Sequence, residues 1–304
     1  MHIISLFSIS GLLLLGTASC SQAQSDQPDQ DGKGKKNSKS DAKGKGTRKD
    51  KDATAQIQGL RRVGTLKGEV PESSGLCLAP QAGTYYSFGD GGNPPTLFKF
   101  DATGKALGNL ELSVTNQDWE SLTRDDQGYY YLGDCGNNDS QRRDLTIYRL
   151  RPDQPNQIDN ITFRYPDQNE FPPKKKARNF DCEAMVWRAG QVYLFTKDQG
   201  QERTSKVYTV PAKAGDYTAK LLTSLTIPGQ VTDAALSPDG HRLVLLGRGE
   251  LFLLDGNSWE EILKATPRQI PLTGAGQTEG CAFKDAGTLL ISTEQGTLFE
   301  YTLP

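Results

Sequence analysis

The sequence predicts an all-β fold, and two observations carry that prediction. From Gly59 onward, short apolar and aromatic segments alternate with turns that contain glycine, and no stretch shows the apolar period of a long helix. The same outline also returns five times, each time opened by an acid. The separations of 48, 63, 50 and 46 residues are typical of four-stranded propeller blades, and the opening acids are Glu72, Glu120, Glu183, Asp233 and Glu279.

Each unit keeps its parts in one order. In the second unit a first strand at 121–123 leads to a turn with Gly128, and an aromatic second strand follows at 129–132. A third strand comes next, and the candidate outer strands are 107–114, 161–165, 221–227 and 262–272. This order predicts four-stranded antiparallel blades.

The two ends of the repeat region complete each other. The last unit stops after its third strand, and the missing outer strand is supplied at the other end by residues 62–70. An N-terminal strand that completes the last blade closes the ring and removes an open sheet edge. The prediction is therefore a five-bladed β-propeller over 58–304. A six-bladed alternative would split the long second unit at 166–178, where Pro172, Pro173 and a lysine run disfavour a strand.

The N-terminal region predicts export. Residues 9–16 are apolar but too few to span a bilayer, and small residues precede Cys20. This segment resembles a bacterial lipoprotein signal, although Thr17 stands where leucine is usual. The resemblance implies a signal peptide over 1–20, lipidation of Cys20 and an exported protein anchored in the cell envelope. The alternative is an ordinary secretory signal with an incidental cysteine.

The segment 21–57 is rich in lysine, glycine and aspartate and almost free of apolar residues, which predicts a disordered tether. A solvated spacer is favoured over a basic arm that contacts anionic lipid or polysaccharide. The net charge of the whole chain is -2, so nucleic acid is not an expected partner.

Propeller topology places the repeated acids together. First strands line the central channel and second strands run back beside them, so the five opening acids should form a ring at one channel mouth. Around this ring should lie charged residues from the ends of second strands: Asp90, Asp134, Lys197 with Asp198, Arg248 and Glu294. His241 follows a turn and should lie on the opposite face, which argues against a Ser-His-Asp hydrolase.

A ring of five carboxylates needs compensation. At spacings of about 6 Å, each pair repels by about 3 kcal/mol at an effective dielectric constant near 20. Such a ring must protonate, spread apart or hold a cation. All-oxygen ligands suit Ca²⁺, which accepts six to eight of them. The alternative is that the acids are structural and accept hydrogen bonds from backbone amides.

The blade openings resemble those of the calcium-activated nucleotidases, or soluble apyrases. The matching segments are Glu72-Ser-Ser-Gly-Leu, Trp119-Glu-Ser-Leu, Cys182-Glu-Ala-Met-Val-Trp and Thr278-Glu-Gly-Cys-Ala-Phe. The resemblance implies a five-bladed propeller with a channel Ca²⁺ whose ligands here are Glu72 or Ser74, Glu120, Glu183 and Glu279. Asp233 is a further candidate ligand, although it departs from the serine-rich opening of that family. The loop Gly133-Asp-Cys-Gly-Asn-Asn also resembles bacterial exported propellers and, more loosely, esterase-like phytases.

Two functions of different classes follow. The first is a lipoprotein whose Ca²⁺-containing mouth binds a glycan, a peptide or a phosphorylated small molecule. The alternative is a calcium-dependent phosphohydrolase, nucleotidase-like or phytase-like, in which Glu294 or Asp134 takes a proton from water while Lys197 and Arg248 hold the anion. Binding is favoured because no complete catalytic set can be named.

Two cysteines also fall at this face. Cys135 and Cys182 lie on neighbouring blades and are positioned to form a disulfide in an oxidising compartment, whereas Cys77 and Cys281 sit inside first strands as packed thiols.

Overall fold

The structure is a computed structural model, and it describes residues 59–304. The predicted signal peptide, Cys20 and the tether lie outside the described residues. Within 59–304 the chain forms five β-sheets arranged as the blades of a propeller, and all strand pairs but one are antiparallel. No helix among these residues is long and apolar enough to cross a bilayer.

The strands run in blade order along the chain. A single strand comes first, β1 (Leu60–Thr65). Blade 1 contains β2 (Ser73–Leu78), β3 (Thr84–Gly89), β4 (Thr96–Asp101) and β5 (Ala106–Glu111). Blade 2 contains β6 (Trp119–Arg124), β7 (Tyr130–Asp134), β8 (Thr146–Arg151) and β9 (Gln154–Arg164). Blade 3 contains β10 (Asp181–Arg188), β11 (Gln191–Lys197), β12 (Thr204–Pro211) and β14 (Lys220–Thr226), and a short β13 (Gly215–Thr218) lies between β12 and β14 in the chain.

The last two blades complete the ring. Blade 4 contains β15 (Val231–Leu236), β16 (Arg242–Gly247), β17 (Glu250–Asp255), a helix α1 (Trp259–Lys264) and β18 (Arg268–Pro271). Blade 5 contains β19 (Thr278–Asp285), β20 (Thr288–Thr293) and β21 (Thr297–Thr302).

The ring closes as the sequence predicts. Strand β1 pairs antiparallel with β21, from Leu60 opposite Tyr301 to Thr65 opposite Thr297, and so becomes the outer strand of blade 5. The inner strands β2, β6, β10, β15 and β19 contact one another in succession, and β19 returns to β2. The five-bladed prediction is confirmed, and the six-bladed alternative is wrong. The segment 166–178 contains one short 3₁₀ turn at Lys175–Ala177 and no strand.

Blade 4 departs from the prediction of a strand over 262–272. The first three residues of that segment belong to α1, where Ser258 caps the helix by accepting a hydrogen bond from the Glu261 amide at 3.2 Å. Ile262 is the buried residue that anchors the turn in the core. Local capping therefore overrides the apolar pattern, and only β18 continues the blade.

Blade 2 gains a strand from its neighbour. Strand β13 leaves blade 3 and pairs in parallel with β9, from Gly215 opposite Ile161 to Thr218 opposite Arg164. Blade 2 therefore has five strands, and its outer edge is covered. The hydrophobic core lies between neighbouring blades, as where Phe88 of blade 1 packs edge-on against Trp119 of blade 2.

Candidate functional site

Three glutamates reach one mouth of the channel because the inner strands bulge there. Pairing in blade 2 passes from Trp119 opposite Asp134 directly to Ser121 opposite Gly133, so Glu120 is left out of the ladder. Glu183 and Glu279 are skipped in the same way in blades 3 and 5. A bulge re-aims the extra residue, and here it turns three acids toward the axis at what we call the charged mouth.

The predicted ring of five acids is incomplete. In blade 4 the skipped residue is Thr232, and Asp233 lies one position farther along β15. In blade 1 Glu72 is exposed and precedes β2, and its backbone has a φ of 46°. Its carboxylate accepts a hydrogen bond from the side-chain amide of Asn93 at 3.0 Å. Ser74 is buried at the same end of β2. The charged mouth therefore holds three glutamates on bulges and one exposed glutamate at its rim.

Asp233 has a structural role, which was the alternative to metal binding for the opening acids. Its carboxylate accepts hydrogen bonds from the amides of Cys281 and Ala234, both at 2.8 Å, and from the Leu76 amide and the Ser121 hydroxyl, both at 3.3 Å. Three of these donors belong to blades 1, 2 and 5. Asp233 therefore joins four inner strands across the channel, and it does not line the cavity of the charged mouth.

Lys197 supplies a cation from within the chain. Its ammonium lies 2.7 Å from the Glu183 carboxylate, and the two side chains are 7% and 2% exposed. Burial disfavours the ammonium, but the carboxylates of Glu183, Asp181 and Glu120 outweigh burial and raise the pKa of Lys197. The buried ammonium of Lys197 therefore offsets part of the repulsion between the carboxylates of the charged mouth. Arg248 adds a looser pair, with its Nε 3.5 Å from Glu279.

A second group of acids lies between blades 1 and 2. Asp90, Asp118 and Glu120 offer carboxylate oxygens that all lie within 4.8 Å of one another, and we call this group the acid triad. Asp90 accepts a hydrogen bond from the Gly91 amide at 2.6 Å. Within residues 59–304 no protein donor forms a hydrogen bond to the carboxylate of Asp118 or of Glu120, although Glu120 is only 6% exposed. The triad is therefore left largely uncompensated by the protein.

Burial and mutual repulsion perturb the triad. Burial first, and then the charges of Asp181 and Asp90, raise the pKa of Asp118 to about 6. Burial, followed by the charges of Glu183 and Asp181, holds the pKa of Glu120 well above its usual range. Both shifts show that extra negative charge is unfavourable here, so a bound cation would be favoured.

Two glycines allow the acids to come this close. A Cβ on Gly136 would lie 2.4 Å from an oxygen of Asp118 and 2.6 Å from an oxygen of Glu120. A Cβ on Gly91 would lie 2.8 Å from the other oxygen of Asp118. The segments Gly89–Gly92 and Gly133–Gly136 therefore wrap the triad with bare backbone. Asp90 was expected beside the ring at the end of a second strand, whereas Asp118 was missed, because it lies outside both Gly-Asp-x-Gly loops and only the packing of these loops brings it into the site.

Most of the predicted site residues line one cavity. It has a volume of about 100 Å³, and its lining includes Glu72, Ser74, Asp90, Glu120, Asn138, Glu183, Lys197, Arg248, Glu279 and Glu294. Asp134 is not among them. It is buried in an ion pair with Arg142 at 2.9 Å and accepts a hydrogen bond from the Asp118 amide at 3.1 Å. Asp134 therefore positions the backbone of the triad, and its occupied oxygens do not suit the general base that the phosphohydrolase alternative would require.

The cysteine pair at this face is buried in the core, and its disulfide stays a prediction. Cys135 and Cys182 are both buried free thiols in this structure. The Cys135 thiol donates to the Cys182 carbonyl at 3.5 Å, and the Cys182 thiol donates to the Ala184 carbonyl at 3.9 Å. Each proton therefore has an acceptor inside the core, and the two blades are joined here by hydrogen bonds. Cys77 and Cys281 are also buried free thiols.

Comparison with known proteins finds similar solved structures but no matching family. No family model and no curated protein matches this chain. Among solved structures, a virginiamycin B lyase from Staphylococcus aureus is similar at 13% identity and a TM-score of 0.41, over 76% of this chain and 66% of the lyase, just under two thirds of its length. A PQQ-bound aldose sugar dehydrogenase from Streptomyces coelicolor is similar at 12% identity and a TM-score of 0.49, over 80% of this chain and 97% of the dehydrogenase.

A gluconolactonase from Xanthomonas campestris is similar at 14% identity and a TM-score of 0.47, over 80% of this chain and 82% of the lactonase. The propeller assignment rests on the strand pairing described above, and at this level of similarity none of these activities transfers to the chain.

Proposed function

We propose that this protein is a divalent-cation-dependent binding module whose charged mouth holds Ca²⁺ in the acid triad and recognises its ligand through that ion. One observation carries the proposal. Three carboxylates converge within 4.8 Å, and two of them receive no hydrogen bond from residues 59–304. Acids that are structural usually have backbone donors, as Asp233 has. Asp118 and Glu120 receive none from residues 59–304.

The donor set suits a hard cation. Asp90, Asp118 and Glu120 offer only carboxylate oxygens, and the side chains of Glu72 and Asn138 add further oxygens around the same small cavity. Ca²⁺ accepts six to eight oxygen ligands in flexible geometry, so the triad would leave coordination positions for water or for a ligand. Lys197 and Arg248 pair with Glu183 and Glu279, which leaves the triad as the uncompensated part of the mouth.

The chemistry of the mouth limits the ligand. Positions left open on the ion would take oxygen donors, and Arg248, whose side chain is 46% exposed, offers N–H donors beside them. An oxygen-rich ligand therefore fits best, such as a glycan, a peptide carboxylate or a phosphorylated small molecule. A 100 Å³ cavity admits the end of such a ligand rather than its whole body.

Calorimetry tests the ion site directly. Ca²⁺ titrated into EDTA-treated protein should bind one ion per chain and raise the melting temperature. Asp118→Asn should abolish both effects. Asp126→Asn, the same change at an exposed turn residue outside the charged mouth, should leave them intact. Absence of heat and of a thermal shift in the native protein would refute the Ca²⁺ site, and Mg²⁺ in parallel tests the preference for the larger ion.

A phosphohydrolase is the second candidate, and one observation favours it. Arg248 and Glu294 line the same cavity as Asp90 and Glu120, two members of the triad, so a guanidinium and a further carboxylate lie beside them. A bound divalent ion would supply polarisation of a phosphoryl oxygen. Arg248 would hold the transferred group, and Glu294 would take the proton of the attacking water. Hydrolysis of nucleotides or phosphoesters that is lost in EDTA, in Asp118→Asn and in Glu294→Gln would select this function over simple binding.

Envelope anchoring at Cys20 belongs to the same proposal. The apolar run at 9–16, the small residues before Cys20 and the polar segment after it support export followed by lipidation. Metabolic labelling with palmitate should mark the full-length chain in the membrane fraction, and Cys20→Ser should lose the label. Unlabelled, freely secreted native protein would refute the anchor.

A further inference from the structure

The opposite end of the channel holds a second, larger cavity, which we call the far mouth. Its volume is about 400 Å³, and it is lined by the C-terminal ends of all five inner strands. Along β15, Thr232 stands at the level of the bulged glutamates, Asp233 ties the strands together, and Ala234 lines the far mouth. The two cavities are therefore at opposite ends of one channel.

The wall of the far mouth is mostly apolar and combines small with larger side chains. Its small residues Cys77, Ala234, Ala235 and Ala282 are slightly exposed at the cavity, although each also packs in the core between blades. Trp187 adds a half-buried indole. Small residues on five converging strands leave a hole, and the volume of that hole lies within the range of small-molecule sites, about 300–1,000 Å³. Water against this wall is readily displaced by an apolar body.

The far mouth contains one cation that makes no ion pair within residues 59–304, and two aspartates. Arg124 ends β6 at the cavity, is exposed, and makes no ion pair within residues 59–304. The indole N–H of Trp187 makes no hydrogen bond to these residues either. The Asp125 carboxylate is already occupied, because it accepts from the amides of Gln127 and Tyr129 at 2.9 and 2.8 Å. Asp126 is exposed in the turn beyond β6 and is the one free acid of the lining.

We infer that the far mouth is a binding site for a small organic anion with an aromatic or branched apolar body. The body enters among the small side chains, and the anionic end lies at Arg124 and the indole N–H of Trp187. This site is independent of the acid triad. Its mostly apolar walls do not provide the cluster of oxygen ligands found in the charged mouth, so it takes a different class of ligand.

A matched pair of fluorescent probes tests the inference on the full chain. 1-Anilinonaphthalene-8-sulfonate is an aromatic anion, and N-phenyl-1-naphthylamine has the same aromatic body without the sulfonate. We expect one molecule of the anion per chain, bound roughly tenfold more tightly than the neutral probe. Arg124→Gln should erase that difference, whereas Asp126→Asn should tighten binding of the anion.

The location is tested by filling the cavity and by energy transfer. Ala235→Leu should weaken both probes at least tenfold, with melting curves to verify that the variant is folded. Transfer from tryptophan to the bound anion should fall more in Trp187→Phe than in Trp259→Phe, since Trp259 lies on α1 outside the lining. No binding of the anion, or binding insensitive to Arg124→Gln and Trp187→Phe, would overturn the inference. Asp118→Asn should have no effect, so failure of the Ca²⁺ site is a separate result.

Discussion

The two mouths of the channel are made by the same five strands and differ in almost every chemical property. The charged mouth carries bulges at Glu120, Glu183 and Glu279, and its cavity is small and crowded with ion pairs. The far mouth has a cavity several times larger, walled by alanine and cysteine. The propeller fold alone therefore does not determine function. The positions of the bulges and the sizes of the side chains determine what each end can bind.

Asp233 separates these two environments, and removing it should have the largest effect. Asp233→Ala would leave buried amides of Leu76, Cys281 and Ala234 without their acceptor, at roughly 1–3 kcal/mol each when uncompensated. We expect a loss of about 4 kcal/mol in the free energy of unfolding, measured in urea. The control Asp126→Ala should stay within about 0.5 kcal/mol. A loss below about 1 kcal/mol would mean that the inner strands hold together without this tie.

The buried lysine should matter next. Lys197→Met would leave Glu183 without its partner, and breaking a buried pair costs about 3 kcal/mol or more. The double variant Lys197→Met/Glu183→Gln should recover most of that loss, because no buried charge remains. Ca²⁺ should also raise the melting temperature of Lys197→Met more than that of the native protein, since the glutamates again lack a cation. Equal stability of the single and double variants would show that the pair does not compensate the mouth.

The pH dependence of stability tests the role of Asp233, which lies between the two mouths. Burial raises the pKa of Asp233 from 3.8 to about 8, although its four hydrogen bonds oppose the shift. The folded state therefore holds this proton more tightly than the unfolded chain does. The resulting stabilisation is fully present below about pH 4 and is lost as the pH rises to about 8. Urea unfolding of native protein and Asp233→Asn across this window should differ in slope, because only the native protein releases this proton. Parallel curves would contradict the raised pKa.

The smallest effect is expected at the acid triad without metal. Asp118→Asn should stabilise EDTA-treated protein by about 1 kcal/mol, because it removes one charge from a crowded group. In excess Ca²⁺ the order should reverse, since only the native protein gains binding energy. The sign change, followed by thermal unfolding with and without Ca²⁺, distinguishes a metal site from a cluster that is merely acidic. A variant that is less stable under both conditions would contradict the proposed role.

The sequence predicted the propeller fold more completely than it predicted the site. Blade number and ring closure followed from the repeat and from the strand at the N-terminal end of the propeller, and both are confirmed. The helix α1 was missed because its apolar residues also fit a strand, and only the cap at Ser258 decides between them. The equivalence of Asp233 with the glutamates was misjudged, because a bulge that skips Thr232 shifts the acid by one position and no local signal marks it.

By itself the sequence determined the all-β class, the five units, the closing strand and the end of the channel at which the acids gather. These depend on short-range patterns of apolar residues, turns and spacing, which every unit repeats. Only the tertiary structure decided which acids meet. Asp90 and Asp118 belong to different blades, and Lys197 reaches Glu183 from the adjacent strand. Asp233 accepts hydrogen bonds from the amides of two other blades and from the Ser121 hydroxyl of a third. The reason is physical: the packing of the blades sets distances between side chains far apart in sequence, and a charge is compensated by whatever lies within a few ångströms of it.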